Sequence, residues 1–316
     1  MIVSTFNPAT FARPANIKEA AKILSEEGPG ARVVAGNTTL YELARQGGLS
    51  DVGILVDISK LGLSYIREEE DDDPTYDSQS SSPSSYTTLH IGSATTFSKM
   101  AQSRLLAKPS YYALKESAMK ITPPQVRNMG TIGGSACSGI AFYDMPPVLL
   151  ALDSKMKVFS STTGEKTIAA KDFFVDYFMT ALSPEELLTE VVVEDKPRSG
   201  SSFIKLGRTS VDFAVVNVAV RITLDESMRV ISDARIGIGA ISNVPVCANE
   251  ASQMMIGQVA SPELIRSAAT LAGSVVEEPV PSVHGSSKYK KKVIPVLVRD
   301  ALFSALDRIT PPSNAK

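Results

Sequence analysis

The chain has 316 residues, enough for about two domains. Its 32 basic and 34 acidic residues give a net charge of −2, which disfavours a basic nucleic-acid-binding protein, and 43% of its residues are hydrophobic, as in ordinary globular proteins. No apolar run approaches the roughly 18 residues of a membrane span and no secretory signal pattern opens the chain, so we expect a cytoplasmic protein.

The few cysteines and histidines limit the chemistry that the side chains can perform. Cys137 and Cys247 are far apart in sequence, and the only histidines are His90 and His284. This composition lacks the paired spacing of a zinc site, the four thiolates of an iron–sulfur cluster and the histidines of most hydrolytic triads. We therefore expect no metal site on this chain and expect a cofactor to supply its chemistry.

The N-terminal segment has the pattern of an α/β unit. Asn16 and Glu19 form a candidate capping box before a helix that ends at Gly28. A strand at 31–35, a loop at 36–39, a helix at 40–46 and a strand at 54–58 follow, which predicts some parallel pairing.

An acidic, serine-rich insertion interrupts the next two predicted strands, 63–67 and 87–92. The insertion, 68–86, contains too little apolar sequence to fold alone, which predicts a mobile hairpin tip; docking onto a basic partner subunit is the alternative. Helices are predicted at 95–106 and 111–120, and a long loop at 122–139.

The remaining segments indicate more antiparallel structure, with a domain boundary near Pro197. A helix at 145–152 precedes a hairpin, 155–160 with 165–169, and strands at 202–206, 215–223 and 232–241 predict an antiparallel meander. Helices follow at 250–256, 262–275 and 288–309. The predicted buried face of the last helix comprises Val293, Val296, Leu297, Asp300, Ala301 and Ser304.

Two loops of small residues are candidates for binding a diphosphate. The first, Val34-Ala35-Gly36-Asn37-Thr38-Thr39-Leu40, connects a buried strand to a helix. Glycine permits close approach of backbone N–H groups to phosphate oxygens, and threonine hydroxyls add donors. A purely structural turn of small residues has the same local pattern and is the alternative.

The second loop, 125–136, contains Thr131-Ile132-Gly133-Gly134-Ser135-Ala136 and ends eight residues before Asp144. Adjacent glycines can present a run of backbone donors to an anion, and an ionised Asp144 can accept hydrogen bonds from sugar or polyol hydroxyls. A tight bend with a surface aspartate is the alternative interpretation.

Taken together and in this order, the two loops resemble the FAD-binding medium subunit of the xanthine dehydrogenase and carbon monoxide dehydrogenase family of molybdenum hydroxylases. The similarity extends from the first helix to the segment 285–292, and Thr131-Ile132-Gly133-Gly134 with Asp144 is its most specific part. It implies an α+β fold: a two-lobed FAD-binding domain of the vanillyl-alcohol-oxidase (PCMH) type, then a smaller C-terminal domain with an antiparallel sheet and helices. The implied boundaries are 1–197, with lobes of about 1–60 and 61–197, and 198–316.

The resemblance also implies the residues of a non-covalent FAD site. Residues 34–40 and 131–136 would hold the diphosphate, and Asp144 would contact hydroxyls of the flavin nucleotide. Ile121 and Leu187 or Leu188 would line the cofactor, and Lys205 would lie beside it, where a cation favours a negatively charged reduced flavin. Ser135 replaces the usual asparagine, and the first loop has Asn37 and Thr39 where a second glycine and an aspartate are commoner.

By the same resemblance, molybdopterin and [2Fe-2S] clusters belong to partner subunits. We expect an oxidoreductase subunit that takes electrons from an iron–sulfur subunit, itself supplied by a molybdopterin-binding large subunit, and passes them through FAD to NAD or another acceptor. A free-standing FAD-dependent oxidase is the alternative, and a nucleotide-binding scaffold without turnover is the alternative outside enzymology.

Overall fold

The N-terminal part is a small α/β unit, and the computed structural model describes residues 10–71 and 86–309 of the chain. The elements of this unit are β1 (Thr10–Ala12), α1 (Ile17–Glu27), a 3-10 turn (Gly28–Gly30), β2 (Ala31–Val34), α2 (Thr38–Arg45) and β3 (Ile54–Asp57). The three strands are parallel in the order β1-β3-β2, which confirms the predicted parallel pairing.

Helix α1 begins and ends where its sequence predicts. The Asn16 side chain accepts a hydrogen bond from the Glu19 amide at 2.9 Å, and the Glu19 carboxylate accepts one from the Ala15 amide at 2.7 Å. Gly28, at φ +53°, ends the helix in a conformation that glycine adopts without strain. The buried face carries Ala20 and Leu24 into a core shared with the parallel sheet.

The middle part is an antiparallel sheet covered on one face by helices. Its elements are β4 (Ile66–Asp71), β5 (Tyr86–Gly92), α3 (Phe97–Gln102), 3-10 turns at Leu105–Ala107 and Pro109–Tyr111, α4 (Tyr112–Lys120), α5 (Pro124–Met129), α6 (Ile132–Cys137), α7 (Met145–Ala151), β6 (Lys155–Ser160), β7 (Gly164–Ala169), α8 (Ala170–Phe173), β8 (Phe174–Asp176), β9 (Met179–Thr180) and β10 (Glu186–Glu194). The five-stranded order is β4-β5-β10-β6-β7, and β8 and β9 form a separate hairpin.

Two predictions for this part were wrong. The segment 122–139 contains α5 and α6 instead of one long loop: Pro124 occupies a first-turn position where no amide partner is needed, and Thr131 caps α6. The insertion predicted at 68–86 also begins inside strand β4, because residues 68–71 pair with β5. The remainder of that prediction, residues 72–85, lies outside the described residues.

The C-terminal part is a four-stranded meander backed by three helices. Its elements are β11 (Ser199–Leu206), β12 (Val216–Leu224), β13 (Ile231–Gly239), β14 (Val246–Cys247), α9 (Asn249–Met255), α10 (Pro262–Ala272) and α11 (Ser287–Ile309). The strands are antiparallel in chain order, as predicted. One sheet face packs on α9 and α11, with α10 packed against these two helices, and the other face carries Phe203 and Ala219 into the core of the middle part.

The shared face predicted for α11 was correct only in part. The residues that the helix buries are Lys290, Ile294, Val298, Ala301, Leu302 and Ala305. Of the predicted residues, Ala301 is buried, Val293 and Leu297 are partly buried against the same core, and Val296 is exposed. Apolar residues occur on several sides of this helix, so its own periodicity does not define one face, and the position of the sheet selects it.

A buried carboxylate ties together three strands on the outer face of the five-stranded sheet. Glu190 accepts a hydrogen bond from the Tyr65 hydroxyl at 2.6 Å and lies 2.8 Å from both the His90 imidazole and the Lys157 ammonium. Burial opposes ionisation of this group, but the contacts with Lys157, Tyr65 and His90 outweigh it and lower the pKa of Glu190 to about 2.

Replacing this carboxylate should give a stability loss that depends on pH. Because the folded-state pKa is depressed, Glu190 stabilises the fold above its ordinary pKa, and that contribution disappears as pH falls toward 2. We expect Glu190→Gln to lower the free energy of unfolding by about 2 kcal/mol at pH 7, and the difference from wild type to shrink between pH 4.5 and pH 2. Urea unfolding across this range measures it, with the exposed Glu165→Gln as control. A deficit independent of pH would contradict the electrostatic origin.

Candidate functional site

The first predicted loop has the conformation of a tight strand-to-helix turn. Strand β2 ends at Val34, and Asn37 has a left-handed backbone, with φ +58°, immediately before α2 begins at Thr38. Helix α2 thus starts two residues earlier than predicted. Gly36 lies so close to the second loop that a Cβ at this position would overlap the carbonyl oxygen of Met129.

The second predicted loop, 125–136, contains a capped helix turn that starts at Thr131. The Thr131 hydroxyl accepts a hydrogen bond from the Gly134 amide at 3.0 Å, at the start of α6. Gly133 packs inward, where an added Cβ would lie 2.6 Å from Ser93 atoms. Gly134 faces outward and is exposed, with only the Thr131 hydroxyl near an added Cβ. Gly133 is therefore closely packed by the fold, whereas Gly134 is exposed, although a Cβ there would lie 2.9 Å from the Thr131 hydroxyl that caps α6.

The structure brings the two loops into contact although they are far apart in sequence. The contact is between Gly36 and the backbone of Met129 and Gly130, and Gly130 directly precedes the helix cap Thr131. The first loop also contacts the segment that follows the second loop, through a hydrogen bond of 3.0 Å between the hydroxyls of Thr39 and Tyr143. The first loop thus borders the segment that carries Asp144.

Asp144 lies at the centre of a small buried polar cluster. Its side chain is 5% exposed; Oδ2 lies 2.8 Å from the Lys205 ammonium of β11, and Oδ1 accepts a hydrogen bond of 3.2 Å from the Asn217 amide of β12. Burial raises the pKa of Asp144, while Lys205 and Asn217 act in the opposite direction. Two sequence-predicted residues, Asp144 and Lys205, are thus brought together as an ion pair.

Aromatic side chains cover the segment next to this cluster. Tyr143 stacks on Phe213 with ring centroids 5.6 Å apart, and Phe142 meets Phe213 edge-on at 5.0 Å. Phe213 is nevertheless 61% exposed, which leaves most of its ring accessible. The loop after β11 therefore reaches over the segment that carries Asp144.

The other predicted site residues differ in exposure. Ile121, at the end of α4, is half-buried against the middle core. Leu187 and Leu188 are each 3% exposed and pack into two different cores, because neighbouring strand residues face opposite ways. Their contact with a cofactor stays a prediction.

Asn217 and Tyr143 were missed by the sequence analysis. Asn217 is the only polar residue in the apolar run 214–220, and a lone amide in a buried strand is a usable signal. Tyr143 directly precedes Asp144, but nothing in the sequence pairs it with Thr39. Within 10–71 and 86–309, no group of three or more metal-ligating side chains is assembled, and no helix is long and apolar enough to cross a membrane.

The fold and the family matches together define the class of protein: an FAD-binding domain joined to a smaller sheet-and-helix domain. Two family profiles match, "FAD binding domain in molybdopterin dehydrogenase" over residues 5–74 and 79–194, and "CO dehydrogenase flavoprotein C-terminal domain" over residues 201–305. The chain therefore belongs to the family of FAD-binding medium subunits of molybdenum hydroxylases, and it is an oxidoreductase subunit.

Individual relatives are similar in sequence to almost the whole chain. The 6-hydroxypseudooxynicotine dehydrogenase complex subunit alpha of Paenarthrobacter nicotinovorans is 33% identical over 95% of both chains. The carbon monoxide dehydrogenase medium chain of Afipia carboxidovorans is 30% identical over 98% of this chain and 99% of that one. A solved structure of reconstituted CO dehydrogenase from Oligotropha carboxidovorans has a TM-score of 0.84 at 29% identity, covering 96% of this chain and 98% of that chain.

The ion pair beside the loops should behave as a coupled unit. Lys205→Met alone leaves a buried carboxylate without its cation and should cost roughly 3 kcal/mol of unfolding free energy. The double variant Lys205→Met/Asp144→Leu removes both charges and should be more stable than the single variant. Urea unfolding of the four members of this double-mutant cycle, without added cofactor, measures the coupling. Additive effects of the two substitutions would contradict a direct pair.

Proposed function

We propose that residues 34–40 of the first loop and residues 131–136 of the second loop, 125–136, together hold the diphosphate of FAD. The single observation that carries this proposal is the backbone contact of Gly36 with Met129 and Gly130, which makes one surface from two distant loops. Gly134 is exposed, but the amide groups at the start of α6 are already hydrogen-bonded: that of Gly133 to the Ser93 carbonyl and that of Gly134 to the Thr131 hydroxyl. We therefore assign the donors of this surface to the first turn of α2, which begins at Thr38 in the first loop, and such donors suit an anionic group.

We further propose that Asp144 accepts hydrogen bonds from hydroxyl groups of the flavin nucleotide. An ionised carboxylate has about four acceptor positions, and Lys205 and Asn217 use only two of them. Burial raises the pKa of Asp144, and the contacts with Lys205 and Asn217 oppose part of that rise. The remaining acceptor positions of Asp144 and the exposed Gly134 fit FAD, which would supply the redox chemistry when it is bound, while the protein orients it.

The remaining residue-level assignments are part of the same proposal. Ile121 and either Leu187 or Leu188 line the cofactor, residues 1–197 form the FAD-binding domain, and residues 198–316 form the C-terminal domain. The two profile matches, which end at residue 194 and begin again at residue 201, support this division. Binding is non-covalent, since the first loop has no histidine or cysteine.

In the cell, we propose that the chain works in a complex with an iron–sulfur subunit and a molybdopterin-binding large subunit, and donates electrons to NAD or another acceptor. The names of its relatives, a "complex subunit alpha" and two kinds of "medium" subunit or chain, support such an assembly and disfavour a free-standing oxidase. We place it in the cytoplasm, where its free Cys137 and Cys247 stay reduced.

A branched side chain at the outward glycine tests the diphosphate site. Gly134→Val should reduce FAD affinity at least about a hundred-fold, because its methyl groups occupy the space where the phosphates approach the backbone. Gly53→Val is the control for adding a valine at an exposed glycine, since nothing lies within 4 Å of an added Cβ there, whereas a Cβ at Gly134 also lies 2.9 Å from the Thr131 hydroxyl. Flavin fluorescence titration gives the affinities, and circular dichroism verifies the folds. Equal affinity in the two variants would refute the placement.

Reduction of the bound flavin distinguishes the proposed subunit from an oxidase. The isolated chain loaded with FAD should keep the visible absorption of oxidised flavin when candidate substrates are added, whereas the co-purified complex should lose that absorption as its flavin is reduced. The control is dithionite, which should reduce both samples. Substrate-driven bleaching of the isolated chain would instead favour the oxidase.

A further inference from the structure

We propose that Asn217 is a positioning residue for FAD binding, which fixes the orientation of the Asp144 carboxylate so that its free lone pairs face the cofactor hydroxyls. This inference rests on the proposed function of Asp144. Asn217 is completely buried in β12, and Asp144 lies on the segment that precedes α7, so the contact joins the C-terminal sheet to the FAD-binding part.

The amide of Asn217 makes two hydrogen bonds that define its orientation. Nδ2 donates to the Tyr143 carbonyl oxygen at 3.0 Å and to Asp144 Oδ1 at 3.2 Å. A flipped amide would place its oxygen against these two acceptors, which is repulsive. The nitrogen therefore faces Asp144, and one side-chain group holds both the backbone and the carboxylate of adjacent residues.

The surroundings of Asn217 leave its side chain little freedom. Among the residues that the structure describes, its Oδ1 has no hydrogen-bond partner, although it is buried. This oxygen packs against Gly239 of the neighbouring strand, where a Cβ would overlap it. Burying a carbonyl oxygen without a hydrogen-bond partner is energetically unfavourable. This orientation nevertheless keeps the amide N–H donor on Asp144.

The two partners of Asp144 bind different oxygens of its carboxylate. Lys205 binds Oδ2 and Asn217 binds Oδ1, and the Lys120 ammonium adds a more distant positive charge. An ion pair alone allows the carboxylate to rotate about its χ2 bond, since either oxygen can face the ammonium. The second, directional contact from Asn217 removes this freedom before the cofactor binds.

Substitutions of similar size separate this role from simple packing. Asn217→Leu keeps the volume and removes the donor, and it should weaken FAD binding about ten-fold. Asn217→Asp keeps the shape of the side chain but places a second carboxylate beside Asp144. Its loss of FAD affinity relative to wild type should therefore be larger at pH 8. This loss should become smaller toward pH 5.5, because a proton shared by the two carboxylates restores a hydrogen-bond donor. Gly239→Ala should weaken binding in the same direction, because its methyl group displaces the amide.

Flavin fluorescence titration of the full chain gives the dissociation constant of each variant relative to wild type at the same pH, and thermal unfolding without FAD reports folding. Asn243→Leu is the matched control, since Asn243 also donates to a carboxylate, that of Asp176 at 3.0 Å, but is not in the Asp144 cluster. Wild-type affinity in both Asn217 variants, or an equal deficit at both pH values in Asn217→Asp, would overturn the inference. If wild type itself fails to bind FAD, the proposed function fails instead.

Discussion

The arrangement of the site depends on one close backbone approach, that of Gly36 to Met129 and Gly130. A side chain at Gly36 would separate a strand-to-helix turn of the N-terminal sheet from the short helices of the middle part. Neither loop alone is specific, because small residues form ordinary turns in many proteins. Their contact turns two weak local patterns into one continuous surface.

A buried charge cluster then joins this surface to the C-terminal sheet. Asp144 precedes α7, whereas Lys205 and Asn217 belong to β11 and β12, so one carboxylate connects both parts of the chain. The same interface includes a close contact at Gly237 of β13, which packs directly against the Pro147 carbonyl of α7. Both junctions hold the N-terminal end of α7 against the C-terminal sheet. The position of Asp144 therefore depends on the whole interface between the two parts.

The sequence predicted those features whose cause is local. The capping residues of α1, the alternation of the meander strands and the turn at Gly164 are each determined by a few neighbouring residues, and all were found. The short helices α5 and α6 were missed because their proline and glycine residues are typical of loops as well. The buried face of α11 and the contacts of Asn217 depend on elements distant in sequence, so periodicity could not reveal them.

The ion pair also changes how Lys205 can act on a bound flavin. The resemblance implied an isolated cation beside the cofactor, but Asp144 compensates that charge at 2.8 Å. A closely spaced pair of opposite charges has a field that falls off faster with distance than that of a single charge, so its influence is directional and short-range. Lys205 can therefore favour a negatively charged flavin only where the cofactor lies nearer the ammonium than the carboxylate. In the proposed site, the orientation of Asp144, which we assign in part to Asn217, then controls the electrostatic effect of Lys205 as well as the binding of the hydroxyl groups.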